Sequence, residues 1–103
     1  MAYDGGSFNS TLAAAAGDDP TLLAELRAGF VDSLEHHVDL LRRARCDGNW
    51  EIAAQRLRGL GASFHAPELV RLANEALDSA PGEPTVIRKL TRLSGEFAAA
   101  RDA

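Results

Sequence analysis

The chain has 103 residues, which is enough for one hydrophobic core and too few for two. Its composition, 46% hydrophobic and 25% charged, is that of a globular protein and excludes a disordered one. A net charge of −4 disfavours binding to nucleic acid or to anionic membranes. No apolar run has the roughly 20 residues of a membrane span and no signal-peptide pattern is present, so we expect a cytoplasmic protein.

Apolar residues at helical spacing predict an all-α chain, because the alternation typical of strands is not found. Residues 1–6 are expected to be flexible, and a single domain is expected to span 7–103. Ser7 is a candidate N-cap for a short first helix that Gly17 closes. Such a helix is marginal alone, so we expect it to cover one end of a larger bundle.

Four longer helices are predicted to follow. An acidic cap and Pro20 start the longest one, whose apolar stripe continues for about 27 residues, as far as Gly48. A short turn at Gly48 then leads into a central helix that begins at Trp50. Pro67 and Pro84 begin the last two helices. These stripes predict an up-down-up-down antiparallel four-helix bundle, with the short first helix across one end.

The central helix has an unusual outer face. Its core stripe consists of Trp50, Ala53, Ala54, Leu57, Leu60, Gly61 and Phe64. The opposite side carries Gln55, Arg58, Gly59 and Ala62, whose spacing of i, i+3, i+4 and i+7 places them in one patch. A glycine on a solvated helix face costs about 1 kcal/mol relative to alanine, so this pattern indicates that a partner needs access to the backbone beside Gln55.

The segment AQRLRGLGASFHAPEL resembles the signature helix of histidine phosphotransfer (HPt) domains. In that family the phosphate-accepting His is followed by Lys at the third position, Gly at the fourth, a small residue at the seventh, and a Gly-Ala pair beyond. Arg58, Gly59 and Ala62 match the basic, glycine and small positions, and His65 followed by alanine replaces the pair. Gln55 stands in the position of the His, and its amide has no nucleophilic nitrogen to carry a phosphoryl group.

The resemblance implies the four-helix HPt fold from about Asp18 onward. It also implies a partner, the receiver domain of a response regulator, alone or within a hybrid histidine kinase. That receiver would dock on the face formed by Gln55, Arg58, Gly59 and Ala62. Because the accepting nitrogen is missing, we expect a monomeric, degenerate HPt module of bacterial two-component signalling that binds a receiver, needs no cofactor and is not an enzyme.

Two alternatives stay open at this point. One is active phosphotransfer, either through another histidine or because Gln55 replaces a native His. The other is a structural bundle that dimerises through Gly59 and Ala62, since small residues let two helices approach closely. Hydrolytic catalysis is disfavoured, because the sequence has no Ser-His-Asp order and no Gly-rich phosphate loop.

The histidines and the cysteine are the other candidate reactive groups. His36 is expected to point outward and His37 to lie in the apolar stripe, so this adjacent pair makes a poor two-ligand metal site. His65 is expected to be a boundary side chain at the end of the central helix. Cys46 cannot form an internal disulfide and is expected to pack at a helix end. No metal site is predicted.

Overall fold

A computed structural model describes residues 6–102, which form five helices and contain no strand in that range. The helices are α1 (Gly6–Ala16), α2 (Pro20–Arg43), α3 (Asp47–Ser63), α4 (Pro67–Leu77) and α5 (Pro84–Asp102). The all-α prediction is confirmed. Three of the helices begin at the predicted prolines, because a fixed φ and a missing N–H are well tolerated in the first helical turn.

The first helix begins two residues earlier than predicted, since a cap at Ser7 would make Phe8 the first helical residue. Gly6 is already helical, and Ser7 lies in the first turn of α1 instead of capping it. Glycine is itself accepted at helix starts, which explains the shift. Residues 1–5, the rest of the segment predicted to be flexible, lie outside the described range. Gly17 closes α1 as predicted, with φ at +64° in the left-handed region that glycine favours.

The second helix begins as predicted but ends sooner. The Asp19 carboxylate accepts the backbone N–H groups of Thr21 and Leu22 at 3.0 and 3.2 Å, and so caps α2. The helix was predicted to continue to Gly48, yet it ends at Arg43 after 24 residues.

An extended link replaces the predicted glycine turn between α2 and α3. Ala44 and Cys46 both have extended backbones, and Ala44 is buried beneath the link. The predictions of a turn at Gly48 and of a helix start at Trp50 are therefore wrong, since α3 begins at Asp47. The Asp47 carboxylate favours an early start because it lies at the positive end of the helix dipole. The backbone N–H of Trp50 already bonds to the Cys46 carbonyl, at 3.1 Å.

The helices pack in pairs around one apolar core. Contacts join α1 to α2, α2 to α3, α3 to α4, α4 to α5 and α5 to α2. Trp50, near the start of α3, donates its indole N–H to the Ala76 carbonyl near the end of α4, at 2.8 Å. Lys89, in the first half of α5, pairs with Glu75 near the end of α4, at 3.1 Å. These two contacts indicate that α3 and α4 run in opposite directions, and that α4 and α5 do so as well.

All four phenylalanines of the chain meet where α1 packs on the longer helices. Phe8 of α1 lies with its ring centroid 4.6 Å from that of Phe30 on α2 and 4.9 Å from that of Phe97 on α5. Phe64, at the end of α3, lies 5.0 Å from Phe30. Each ring comes from a different helix or helix end, so the cluster ties α1 to the core.

We expect Leu57→Ala to lower the free energy of unfolding by about 2–5 kcal/mol, because Leu57 is fully buried on α3 and its truncation leaves a cavity. Urea unfolding followed by circular dichroism measures the change. Gln55→Ala, on the opposite and exposed side of the same helix, is the matched control and should change stability by about 0.5 kcal/mol or less. Equal unfolding midpoints for both variants would contradict the assignment of Leu57 to the buried side of α3 and of Gln55 to its exposed side.

We expect Gly48→Ala to raise the free energy of unfolding by about 0.5–1 kcal/mol, because alanine is the better helix former and Gly48 lies in the first turn of α3. A Cβ at this position meets no heavy atom within 4 Å. Gly82→Ala is the contrasting variant and should destabilise, since Gly82 has φ at +84°. Destabilisation by Gly48→Ala would contradict a helical position for Gly48 and would favour the turn predicted from the sequence.

Candidate protein-docking site

The outer face of α3 brings together the four residues singled out in the sequence. Gln55, Arg58, Gly59 and Ala62 are all exposed, and they lie on one continuous helix. The other side of α3 packs on the core, with Leu57 inaccessible to solvent and Leu60 half-buried. Spacings of three, four and seven residues place the four side chains on adjacent turns, so they form one surface patch around Gln55. We call this patch the Gln55 face.

Two glycines of α3 have opposite surroundings. At Gly61, a Cβ would lie 3.0 Å from the Val70 side chain and 3.1 Å from that of Leu69, so the glycine is needed where α3 packs on α4. At Gly59, a Cβ would meet no heavy atom within 4 Å. Internal packing therefore explains Gly61 and leaves Gly59 unexplained. What Gly59 provides is an accessible stretch of backbone on the Gln55 face.

The two polar side chains of the face are only weakly engaged. Gln55 donates its amide N–H to the Glu51 carboxylate at 3.3 Å. Arg58 donates to the side-chain oxygen of Asn74 on α4 at 3.4 Å. Both distances exceed the usual 2.7–3.2 Å of an N–H···O hydrogen bond. The donors of Gln55 and Arg58 are therefore available to a stronger acceptor.

Arg58 differs from the arginines at the end of α2. Arg42 and Arg43 both pair with Asp39, one turn earlier on their own helix. The hydrogen bond from Arg42, with the nearby charge of Arg43, holds the pKa of Asp39 below its ordinary value. These two arginines are thus engaged by a carboxylate. Arg58 has only a neutral amide as its hydrogen-bond partner.

One residue of the face was not predicted. Ile52 lies three residues before Gln55, so it belongs to the same side of α3, and it is 52% exposed. Leu40, near the end of the neighbouring helix α2, is also exposed, at 36%. The signal for Ile52 was available, because it is a large apolar residue that falls outside the core stripe. It adds an apolar contact to the Gln55 face.

Two of the three histidines lie on α2 and the third follows the end of α3. On α2, His36 is exposed and His37 is half-buried, as predicted. The Nδ1 atom of His37 lies 2.8 Å from the Ser33 carbonyl oxygen. The rings of His36 and His37 meet edge to face, with centroids 5.1 Å apart. Neither ring shares a helix with Gln55.

His65 occupies the position that ends α3. Its backbone N–H bonds to the Ala62 carbonyl at 3.3 Å, and the N–H of Ala66 bonds to the Gly61 carbonyl at 2.8 Å, which is a Schellman motif. His65 has φ at +53°, in the left-handed region that glycine normally occupies in this motif. Its Nδ1 atom lies 2.9 Å from the Thr11 hydroxyl, so His65 links the end of α3 to α1.

Cys46 lies at a helix end as predicted, but it is exposed instead of packed. Its extended backbone directs the side chain outward, while Ala44 takes the buried position in the link. Within the described part of the chain, no three His, Cys, Asp or Glu side chains converge on a point where a metal ion would fit. None of the helices formed by residues 6–102 is both long and apolar enough to cross a bilayer.

The chemistry open to the Gln55 face is recognition without covalent catalysis. Gln55 and Arg58 donate hydrogen bonds, Ile52 offers apolar contact, and Gly59 permits close approach. An amide nitrogen cannot accept a phosphoryl group, so these side chains provide no nucleophile. Comparisons with protein-family models, with curated proteins and with solved structures gave no match.

Proposed function

We propose that this chain is a degenerate HPt domain, which docks the receiver domain of a response regulator in the cytoplasm and transfers no phosphoryl group. The observation that carries the proposal is the position of Gly59, an exposed glycine without an internal packing role that follows Arg58 and lies one helical turn after Gln55. Gly29, Gly48 and Gly95 are equally open but lie outside this pattern. In the HPt pattern, the glycine at the position of Gly59 leaves room for the active-site loop of the partner.

The helix contacts support the fold that this proposal requires. The pairs α2–α3, α3–α4, α4–α5 and α5–α2 form a closed cycle, which is the contact pattern of an up-down-up-down four-helix bundle. The ring of Phe8 on α1 contacts the rings of Phe64, at the end of α3, and Phe97 on α5. A short helix across one end of the bundle has these neighbours.

The backbone conformation at the end of α3 supports the alignment of this chain with the HPt pattern. The HPt pattern has glycine where this chain has His65, and the left-handed backbone at His65 is one for which glycine is the usual residue. The glycine of the pattern therefore has a physical reason at this position. The same alignment places Gln55 at the phosphoacceptor position, ten residues earlier on the outer side of α3.

The surface chemistry suits a receiver domain. The phosphorylated site of a receiver is an Asp, so the docking surface of the partner is acidic where it meets the phosphoacceptor position. Arg58 presents a guanidinium that has no carboxylate partner of its own. Ile52, one turn before Gln55, supplies exposed apolar area on the same side of α3. A partner that combines an acidic site with an apolar surface fits both features.

We expect Gly59→Lys to weaken receiver binding by about 30-fold or more, because a long side chain would project from the centre of the contact. Isothermal titration against purified receiver domains measures the affinity. Gly95→Lys is the matched control, since Gly95 is also an exposed helical glycine with no heavy atom near a Cβ, and it lies on α5.

Equal binding by the parent and by Gly59→Lys would refute the proposed face. Sedimentation of the parent alone provides a second check. A concentration-dependent dimer that Gly59→Lys abolishes would identify this face as a self-association surface instead.

We expect Gln55→His to gain one phosphoryl group from a phosphorylated receiver, while the parent gains none, because only the variant has a nucleophilic ring nitrogen at this position. Intact mass is measured at neutral pH, since phosphohistidine is labile in acid. The double variant Gln55→His, Gly59→Lys is the control and should stay unmodified. Phosphorylation of the parent would show that another histidine is the acceptor and would overturn the proposed lack of transfer.

A further inference from the structure

We infer that the Gln55 face distinguishes the two states of its receiver, and that it binds the form carrying an aspartyl phosphate more tightly than the unphosphorylated form. This inference rests on the proposed function. It adds the chemical state of the partner, which the docking proposal leaves open.

The hydrogen-bond donors of the face are arranged for a phosphoryl group. Gln55 and Arg58 are three residues apart on α3, so their side chains reach one point above the helix. Their present acceptors are distant, at 3.3 Å in Glu51 and 3.4 Å in Asn74. Charge-assisted hydrogen bonds to phosphoryl oxygens are shorter, at about 2.7–2.9 Å, and stronger. An incoming phosphoryl group would therefore displace both weak contacts.

The local charge is less negative than that of the whole chain. Arg58 is exposed on α3 and forms no ion pair with any described residue. Glu51 is the carboxylate that contacts the face, through Gln55. One cation and one carboxylate leave the face neutral, whereas the chain carries −4. A phosphorylated partner adds negative charge at this point, and it is repelled less by this face than by the acidic remainder of the chain.

Glutamine at position 55 keeps the phosphoryl group where it is. A histidine would attack the phosphorus and leave the receiver unphosphorylated, so that complex would be consumed. The amide of Gln55 can only donate hydrogen bonds to the phosphoryl oxygens. No bond forms or breaks, and the aspartyl phosphate stays on the receiver. The expected consequence is a stable complex that retains the phosphorylated receiver.

The carboxylate of Glu51 is expected to oppose binding of a phosphoryl group. Its carboxylate oxygen lies 3.3 Å from the Gln55 amide nitrogen, close to where the phosphoryl oxygens would bind. Two anions in one place repel each other. We therefore expect Glu51→Gln to strengthen binding of the phosphorylated form and to leave binding of the unphosphorylated form nearly unchanged.

The experiment compares one receiver in two states, with the full chain as its partner. The receiver chosen is one that binds the parent chain and no longer binds the Gly59→Lys variant. It is titrated first without modification, and then after beryllium fluoride has formed a stable phosphoryl mimic on its Asp. We expect about tenfold tighter binding of the beryllium fluoride form, the value of one charged hydrogen bond. Arg58→Gln should remove that preference. Arg88→Gln, an exposed arginine on α5, is the matched control and should keep it.

Failure of the preference for the phosphorylated receiver can be distinguished from failure of receiver docking itself. Equal affinity for both receiver states, or tighter binding of the unmodified state, overturns the inference and leaves the docking proposal standing. Binding of no receiver in either state overturns the proposed function itself. Inorganic phosphate, titrated without a receiver, tests the source of the anion. Binding of phosphate alone with the same dependence on Arg58 would identify a free-anion site and overturn the assignment to a receiver.

Discussion

The close contact between α3 and α4 sets the rotation of α3 about its own axis. At one end, the Trp50 indole is bonded to the Ala76 carbonyl; at the other, Gly61 lets the backbone approach Val70. A helix held at both ends cannot turn without breaking a buried hydrogen bond or forcing side chains into contact. The exposed position of Gln55 and its neighbours is a consequence of this packing.

That rotation gives the exposed side of α3 its chemistry. The patch combines hydrogen-bond donors, an apolar side chain and an open glycine, and it contains no group that can be phosphorylated. Arg42, Arg43, Arg71 and Arg101 pair with carboxylates, whereas Arg58 contacts the neutral side chain of Asn74. The one cation of the patch, Arg58, is thus not neutralised by a carboxylate of the described residues.

His65 illustrates a local strain that the surrounding structure supports. A non-glycine residue in the left-handed region costs roughly 1–2 kcal/mol, yet the Schellman hydrogen bonds and the contact with Thr11 hold it in place. The sequence pattern predicted a boundary role for this side chain. It could not predict the contact with Thr11, because that bond joins residues more than fifty positions apart.

The sequence by itself determined the helical class, the starts of three helices at proline, and the inner and outer sides of α3, because these depend on local geometry and periodicity. The tertiary structure decided where α2 ends and α3 begins. Gly48 carries a strong local turn signal, but Asp47 and the buried Trp50 favour a helix there. The partner of Arg58 was likewise decided by the packing of α4 on α3. Contacts between residues distant in the sequence are energetic terms that a local pattern does not contain.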